Sequence, residues 1–399
     1  MSLADFESFY DKFSTKEELQ EYLEEKKSTK MAFHLKAFDI YKNQRRTWED
    51  LKYSQIKDLI TIRDKDNIKD IIDIIKKDST GSKNVLLYLD NKTYEDMNLL
   101  LSELEGYNVK ICYTKNHSKE VNNDVLCTPE DFIGMRAAID YYKDIIEGED
   151  LSTIEKIMYV YDVVKSFPYE ENEEDPMIAR NTALVLNNNY MVCLAYCKLM
   201  QQILKELGLY ARLLLVTDRG EKHARLIMNV NDEEYGIKGL FVFDPTWDSA
   251  KKIVKYMNKE GKIGYKRNPE ESSYEEGDKI LEEIDGLALY LNFMIPACNY
   301  KKVYPNSKIE KYETKDNVIE ENPSIIKGLE EGLAPKPSRL FDKKTYIKLF
   351  YKLKVLEGFP KDKIVEQINE LLRLNFGIVT DNTKLINEVI EEETNKKTM

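Results

Sequence analysis

Residues 193–244 constrain the fold of this chain more than any other stretch, because a helical pattern there is followed at once by strand-like ones. Gly208 takes the position that usually follows a helix C-terminus, and residues 211–217, 223–230 and 237–244 have the composition of strands. A helix packed on an antiparallel sheet predicts an α+β fold. The helix is amphipathic, with apolar residues on one face at Cys193, Tyr196, Cys197, Met200, Ile203, Leu204 and Leu207.

The last two strand-like segments predict a β-hairpin that turns within residues 231–236. A turn centred between Glu233 and Glu234 puts His223 directly across from Asp244, on the same face of the sheet. Cys193 opens the preceding helix. The spacing therefore predicts a thiol, an imidazole and a carboxylate in one place, which are the groups of a nucleophile, a base and an orienting acid.

Two domains are predicted before residue 300. A strand, a helix and a strand over residues 84–114 predict an N-terminal α/β or α+β domain that covers residues 1–128. The capping box Ser152-Thr153-Ile154-Glu155 opens a helix within the second domain. That second domain covers residues 129–300 and contains the helix and hairpin described above.

The remaining sequence is more polar. Residues 301–340 contain Ala334-Pro335-Lys336-Pro337 and are predicted to form a linker. Residues 341–399 carry amphipathic patterns that end at Gly358 and Gly377, so a C-terminal helical region is predicted there.

Composition excludes several classes of protein. The chain has 399 residues and a net charge of −12 with both signs interspersed, which argues against general nucleic-acid binding. No apolar run approaches the roughly 20 residues of a membrane helix, and the first residues lack the pattern of a signal peptide. The five scattered cysteines are typical of reduced thiols. We expect a cytoplasmic protein, or a secreted one if the sequence begins downstream of a leader.

The setting of Cys193 favours a reactive thiolate. A helix N-terminus offers unpaired amides and the positive end of the helix dipole, and an imidazolium at His223 would stabilise the charged pair. The amide of Cys193 is a candidate oxyanion donor. A second donor is expected upstream, and the sequence leaves several residues open for that role: Tyr169, Asn187, Asn188, Asn189 and Tyr190.

Residues 152–249 resemble the transglutaminase-like superfamily, a branch of the papain-like cysteine enzymes. The similar pieces occur in the family's order, and they are the helix at residues 159–165 followed by Tyr169, the nucleophile motif Val192-Cys193-Leu194-Ala195-Tyr196, the helix exit at residues 207–212, the histidine motif Lys222-His223-Ala224, and the aspartate motif Phe243-Asp244-Pro245-Thr246-Trp247-Asp248. The resemblance covers about a quarter of the chain. It implies a papain/transglutaminase-like core in residues 129–300 and a Cys193-His223-Asp244 catalytic triad.

Two residues depart from the family's pattern. Met191 stands where the family usually has a glycine, and Arg225 stands where it favours an aromatic residue. With Trp247, which we expect to pack under the active site, these residues are predicted to lie at the substrate cleft. The acidic residues 170–175 suggest that basic substrates are favoured if this loop lies near the cleft.

The resemblance implies thiol-dependent acyl transfer to water or an amine through a thioester, on a protein or peptide substrate. Hydrolysis, as in a cysteine protease or amidase, is favoured over transglutaminase-like cross-linking because the sequence has no calcium-site spacing. No cofactor, metal, nucleic acid or membrane is implied, and Cys193 with Cys197 has no second Cys/His pair for a zinc site. The alternative is a non-catalytic binding or scaffold protein of the same fold, which Met191 and Arg225 motivate.

Overall fold

A computed structural model describes residues 12–13, 15–25, 60–63, 67–78, 81–89, 94–113, 126–169, 178–188, 191–249, 252–267, 274, 276–285, 289–313, 319–321, 323–376 and 381–396. The chain divides into two compact units. The first comprises residues 1–133 and 172–183, and the second comprises residues 134–171 and 184–399. The fold is mixed α+β with largely antiparallel sheets, as the sequence predicts. Among the described residues, no helix has both the length and the apolarity needed to cross a bilayer.

The first unit contains a four-stranded sheet with the order β1-β2-β3-β4. β1, β2 and β3 are parallel and β4 runs antiparallel to β3. Helix α3 connects β2 to β3, as expected for the predicted strand–helix–strand pattern. The elements are α1 Lys16–Glu25, β1 Ile60–Arg63, α2 Ile68–Lys76, β2 Asn84–Tyr88, α3 Tyr94–Glu103, β3 Asn108–Cys112, β4 Leu126–Cys127 and the start of α4 Pro129–Glu147, which crosses into the second unit.

The second unit contains an antiparallel six-stranded sheet and a separate three-stranded antiparallel sheet. The larger sheet has the order β11-β7-β6-β5-β12-β13 and the smaller one the order β10-β8-β9. The helices are α5 Thr153–Lys165, α6 Thr182–Asn188 (which begins in the first unit), α7 Cys193–Glu206, α8 Tyr300–Val303, α9 Pro323–Glu330, α10 Lys343–Leu356, α11 Lys361–Phe376 and α12 Thr383–Lys396. The strands are β5 Ala211–Asp218, β6 Glu221–Asp232, β7 Ile237–Phe243, β8 Lys252–Met257, β9 Ile263–Arg267, β10 Lys279–Asp285, β11 Ile295–Pro296, β12 Ser307–Glu313 and β13 Ile319–Glu320.

Helix α7 packs on the large sheet and on α5, which brings the end of α7 that carries Cys193 into the same unit as β6 and β7. The predicted capping box is present, because Ser152 accepts a hydrogen bond from the Glu155 amide and Glu155 accepts one from the Ser152 amide. Buried side chains on the inner faces include Tyr161, Tyr196 and Leu226. The hairpin that carries the candidate residues is therefore a central part of the core.

The β6–β7 hairpin has a different register from the predicted one. Asp232 pairs with Ile237 and Leu226 pairs with Phe243, so the turn comprises residues 233–236. The turn closes through Gly236, whose amide donates to the Glu233 carbonyl at 3.2 Å and whose φ of 62° is in the left-handed region that favours glycine. Extending this register puts Arg225, not His223, opposite Asp244.

Residues 301–340 are not a linker, which corrects the prediction. They contain β12 on the large sheet and α9, and Ile309 and Leu329 are buried in the core. The Ser338 amide donates to the carbonyl of Lys238 at 2.8 Å, so even the proline-containing stretch runs against β7. The amphipathic patterns after residue 341 do form helices, and α10 packs on α5 within the second unit.

Candidate active site

Cys193 is the first residue of α7, and its side chain is partly buried. The preceding residue, Val192, makes no side-chain cap, and its carbonyl accepts from the amide of Ala195 at 2.9 Å, so the amides of Cys193 and Leu194 come before the first hydrogen-bonded turn of the helix. The chain before the helix is fixed, because the Met191 amide donates to the Pro168 carbonyl at 3.3 Å and Met191 forms a β-bridge with Tyr169. The thiol therefore lies where the helix dipole favours negative charge.

His223 joins the other two candidate residues. Its Nε2 lies 2.8 Å from Oδ2 of Asp244, and the Cys193 side chain is close enough to raise the pKa of its ring. Since Asp244 occupies Nε2, Nδ1 is the nitrogen that remains for the thiol. The structure thus brings together the three residues of the predicted triad, Cys193, His223 and Asp244.

Asp244 directly follows β7 and is completely buried. Its Oδ2 also accepts from Nε of Arg225 at 2.8 Å, and its Oδ1 accepts from the Trp247 amide at 3.2 Å. The hydroxyl of Tyr161 donates to the Asp244 carbonyl at 3.0 Å. Both carboxylate oxygens and the main-chain carbonyl of Asp244 therefore accept hydrogen bonds, which fixes the direction in which the carboxylate meets the imidazole.

The loop after Asp244 is held by a second buried carboxylate, Asp248. It accepts a hydrogen bond from the Tyr161 hydroxyl at 2.7 Å and one from the Asn292 amide at 2.9 Å. The Asn292 carbonyl in turn accepts from the Asp244 amide at 3.1 Å. Both ends of the Asp-Pro-Thr-Trp-Asp segment are thereby tied to Tyr161 of α5 and to Asn292 in the chain before β11.

Arg225 is the residue that sequence reasoning misread. Its side chain is 0% exposed, so it does not line a cleft, which corrects that prediction. Besides Asp244, its guanidinium binds the Asp218 carboxylate, the Tyr300 hydroxyl at 3.1 Å and the Ser307 hydroxyl at 2.8 Å. It also lies 3.9 Å from the ring centroid of Tyr304. The signal in the sequence was an arginine two residues after the histidine, between the apolar residues Ala224 and Leu226.

The charges in the site compensate one another. Burial would lower the pKa of His223, but the Asp244 carboxylate and the hydrogen bonds to Asp244 and Cys193 outweigh it and raise the pKa to about 9. Burial would raise the pKa of Asp244, but His223 and Arg225 hold it below its usual range. At neutral pH the arrangement is therefore an aspartate between two cations, with one of those cations beside the thiol.

The raised pKa of His223 predicts a pH-dependent contribution to stability. A group whose pKa is raised by folding stabilises the protein fully below its unfolded pKa of 6.5, and that stability is lost as pH rises through about 9. We expect the contribution of His223 to the free energy of unfolding to fall by about 3 kcal/mol between about pH 6 and about pH 10, at about 1.4 kcal/mol per pKa unit. Urea unfolding of the wild type and of His223→Gln at these two pH values measures this difference. Equal pH dependence in the wild type and the variant would contradict the assignment.

The other predicted site residues fall in different places. Met191 is 0% exposed and packs inside the protein, so its side chain does not line a cleft either, which corrects that prediction. Trp247 is partly buried and its ring meets that of His223 edge-on at 6.2 Å between centroids. Tyr169 is exposed, and its ring stacks on that of Tyr196. Asn189 and Tyr190, two candidate oxyanion donors, and the acidic residues 170–175 lie outside the described residues.

Within the part of the chain that the structure describes, no group of three or more His, Cys, Asp or Glu side chains could hold a metal ion. No protein-family profile, no curated protein and no solved structure matches the chain.

Proposed function

We propose that this protein is a thiol-dependent acyl-transfer enzyme with a papain-like, transglutaminase-like core, acting on amides of protein or peptide substrates. The observation that carries the proposal is the position of His223, whose Nε2 is 2.8 Å from Oδ2 of Asp244 and whose ring is close enough to Cys193 for the thiol to raise its pKa. An imidazole held by a buried carboxylate and aimed at a thiol at a helix N-terminus is the arrangement that activates a cysteine nucleophile.

In the first half-reaction, the Cys193 thiolate attacks the carbonyl carbon of the amide. The carbonyl oxygen takes up the negative charge, and the amide of Cys193, at the first position of α7, is available to stabilise it. The C–N bond then breaks, and His223 gives its proton to the leaving amine. The products are a free amine and a thioester on Cys193.

In the second half-reaction, His223 accepts a proton from water, and the oxygen attacks the thioester carbonyl. The C–S bond breaks, the carboxylic acid leaves and the Cys193 thiolate is restored beside protonated His223. An amine in place of water would give a new amide by the same steps. Hydrolysis is the favoured outcome, because no calcium-site spacing occurs in the sequence.

A small activated ester tests the proposal without knowledge of the natural substrate. p-Nitrophenyl acetate should release nitrophenolate in a burst, leave an acetyl group on Cys193 that peptide mass spectrometry locates, and then turn over slowly. Addition of a primary amine would divert the acetyl group to an amide if acceptors other than water are used. Acetylation spread over lysines, with none on Cys193, would refute the proposal and favour a non-catalytic scaffold.

A further inference from the structure

The turn between β5 and β6 is unusually tight and lies beside the candidate site. β5 ends at Asp218 and β6 begins at Glu221, so only Arg219 and Gly220 connect them. Both have positive φ, 52° and 91°, as in a type I′ turn. Asp218 binds Arg225, which binds Asp244, so the turn is tied to the site by buried ion pairs.

Arg219 occupies a backbone position that does not suit it. The left-handed region favours asparagine or glycine, and a residue with a long side chain costs free energy there. Among the described residues, only Arg219 and Met294 combine a positive φ with a side chain. Strain of this kind persists where the surrounding structure determines it, and it occurs often at functional sites.

Trp247 lies near both the guanidinium of Arg219 and the imidazole of His223. The guanidinium lies 5.9 Å from the centroid of the Trp247 ring, and that ring lies 6.2 Å from the imidazole of His223. These two distances place the guanidinium within about 12 Å of the imidazole. Arg219 is exposed and forms no ion pair within the described residues, so its charge is available to a ligand.

The chemistry of the site tells which part of a substrate would meet Arg219. His223 protonates the leaving amine, so the leaving group must lie on the His223 side of the thiol. Trp247 is the aromatic neighbour of His223, and Arg219 in turn lies near Trp247, so these two side chains continue from the residue that meets the leaving amine. We propose that Arg219 is a specificity-determining residue that binds a carboxylate on the leaving-group side of the scissile amide. This inference rests on the proposed function.

Such a carboxylate has two sources, the α-carboxylate of a chain terminus and the side chain of an acidic residue. Iodoacetyl derivatives of amino acids distinguish them, because the thiol displaces iodide and the amide that follows occupies the leaving-group side. One matched pair is iodoacetyl-glycine and iodoacetyl-glycinamide. The other is iodoacetyl-glutamic acid α-amide and iodoacetyl-glutamine amide. Alkylation of Cys193 is followed by peptide mass spectrometry, with partly buried Cys298 as an internal reference.

We expect wild-type Cys193 to react about threefold faster with the charged member of one pair than with its neutral partner, as a partly exposed ion pair allows, while Cys298 shows no such preference. The preference should disappear in Arg219→Asn, a substitution that suits the left-handed turn and leaves the fold intact. Lys238→Gln, which removes an exposed cation at the far end of the same sheet, should keep it.

Equal ratios of charged to neutral reagent in the wild type and in Arg219→Asn would overturn the proposal. The pair that shows the preference identifies the source of the carboxylate. Failure of the proposed function would give a different result from failure of the Arg219 proposal. The absolute rates at Cys193 would then equal those at Cys298 with every reagent, whatever the ratio of the rates with the charged and neutral members of a pair.

Discussion

Replacing Cys193 with alanine is expected to abolish the acyl-enzyme and to lower turnover of p-nitrophenyl acetate by at least about 10³-fold, as removal of a triad nucleophile does. His223→Ala should cost about 10²- to 10⁴-fold, because the thiol loses the base that ionises it and the acid that protonates the leaving group. Both variants should remain folded at neutral pH. Nitrophenolate release and the mass of the peptide that carries residue 193 are the measurements.

Cys298→Ala is the matched control for these variants. It removes another partly buried free cysteine in the same unit, one without a histidine contact among the described residues. Its turnover should equal that of the wild type. If Cys193→Ala and Cys298→Ala behaved alike, the thiol at the start of α7 would have no special role, and the scaffold hypothesis would gain support.

Arg225→Met is expected to lower the free energy of unfolding by about 3–5 kcal/mol, the usual cost of removing one partner of a buried ion pair. The guanidinium is 0% exposed and neutralises Asp244 and Asp218, so its loss leaves Asp218 without its cation and Asp244 with His223 alone. The remaining pair of His223 with Asp244 would also be less well oriented, so turnover of the ester should fall. Urea unfolding near pH 7 measures the first effect.

Two further variants separate charge from packing at this position. Arg225→Met combined with Asp218→Asn also removes the carboxylate that has lost its cation, so it should recover part of the lost stability. Arg225→Lys keeps a cation but cannot reach all four partners, so it should lie between the wild type and Arg225→Met. A loss below about 1 kcal/mol in Arg225→Met would show that the buried network contributes little.

The helix and strands around the site could be predicted from sequence because their patterns are strong. The apolar stripe of α7 and the strand-like runs of β5 to β7 all form as the residues suggest. The register of the β6–β7 hairpin could not be predicted from the sequence, because it depends on which turn residues accept the left-handed conformation. Gly236 takes that conformation here and moves the turn by one residue, which puts Arg225 rather than His223 opposite Asp244.

His223 and Asp244 are in contact although the predicted register was wrong. Successive side chains of a strand alternate between faces, so His223 and Arg225 lie on the same face and both reach the Asp244 carboxylate. The burial of Arg225 could not be read from its sequence neighbours, since its partners Asp218, Tyr300 and Ser307 come from three separate segments. The same holds for residues 301–340, whose polar sequence hides an internal strand that pairs with β5.

Alkylation by iodoacetamide at neutral pH tests whether His223 activates the Cys193 thiol, on which the proposed function depends. An ordinary thiol reacts slowly at neutral pH, because its usual pKa is about 8.5. We predict that Cys193 reacts at least about tenfold faster than Cys298, and that His223→Ala removes this advantage. Equal rates at Cys193 and Cys298 in the wild type, left unchanged by His223→Ala, would contradict the activation of Cys193 by His223.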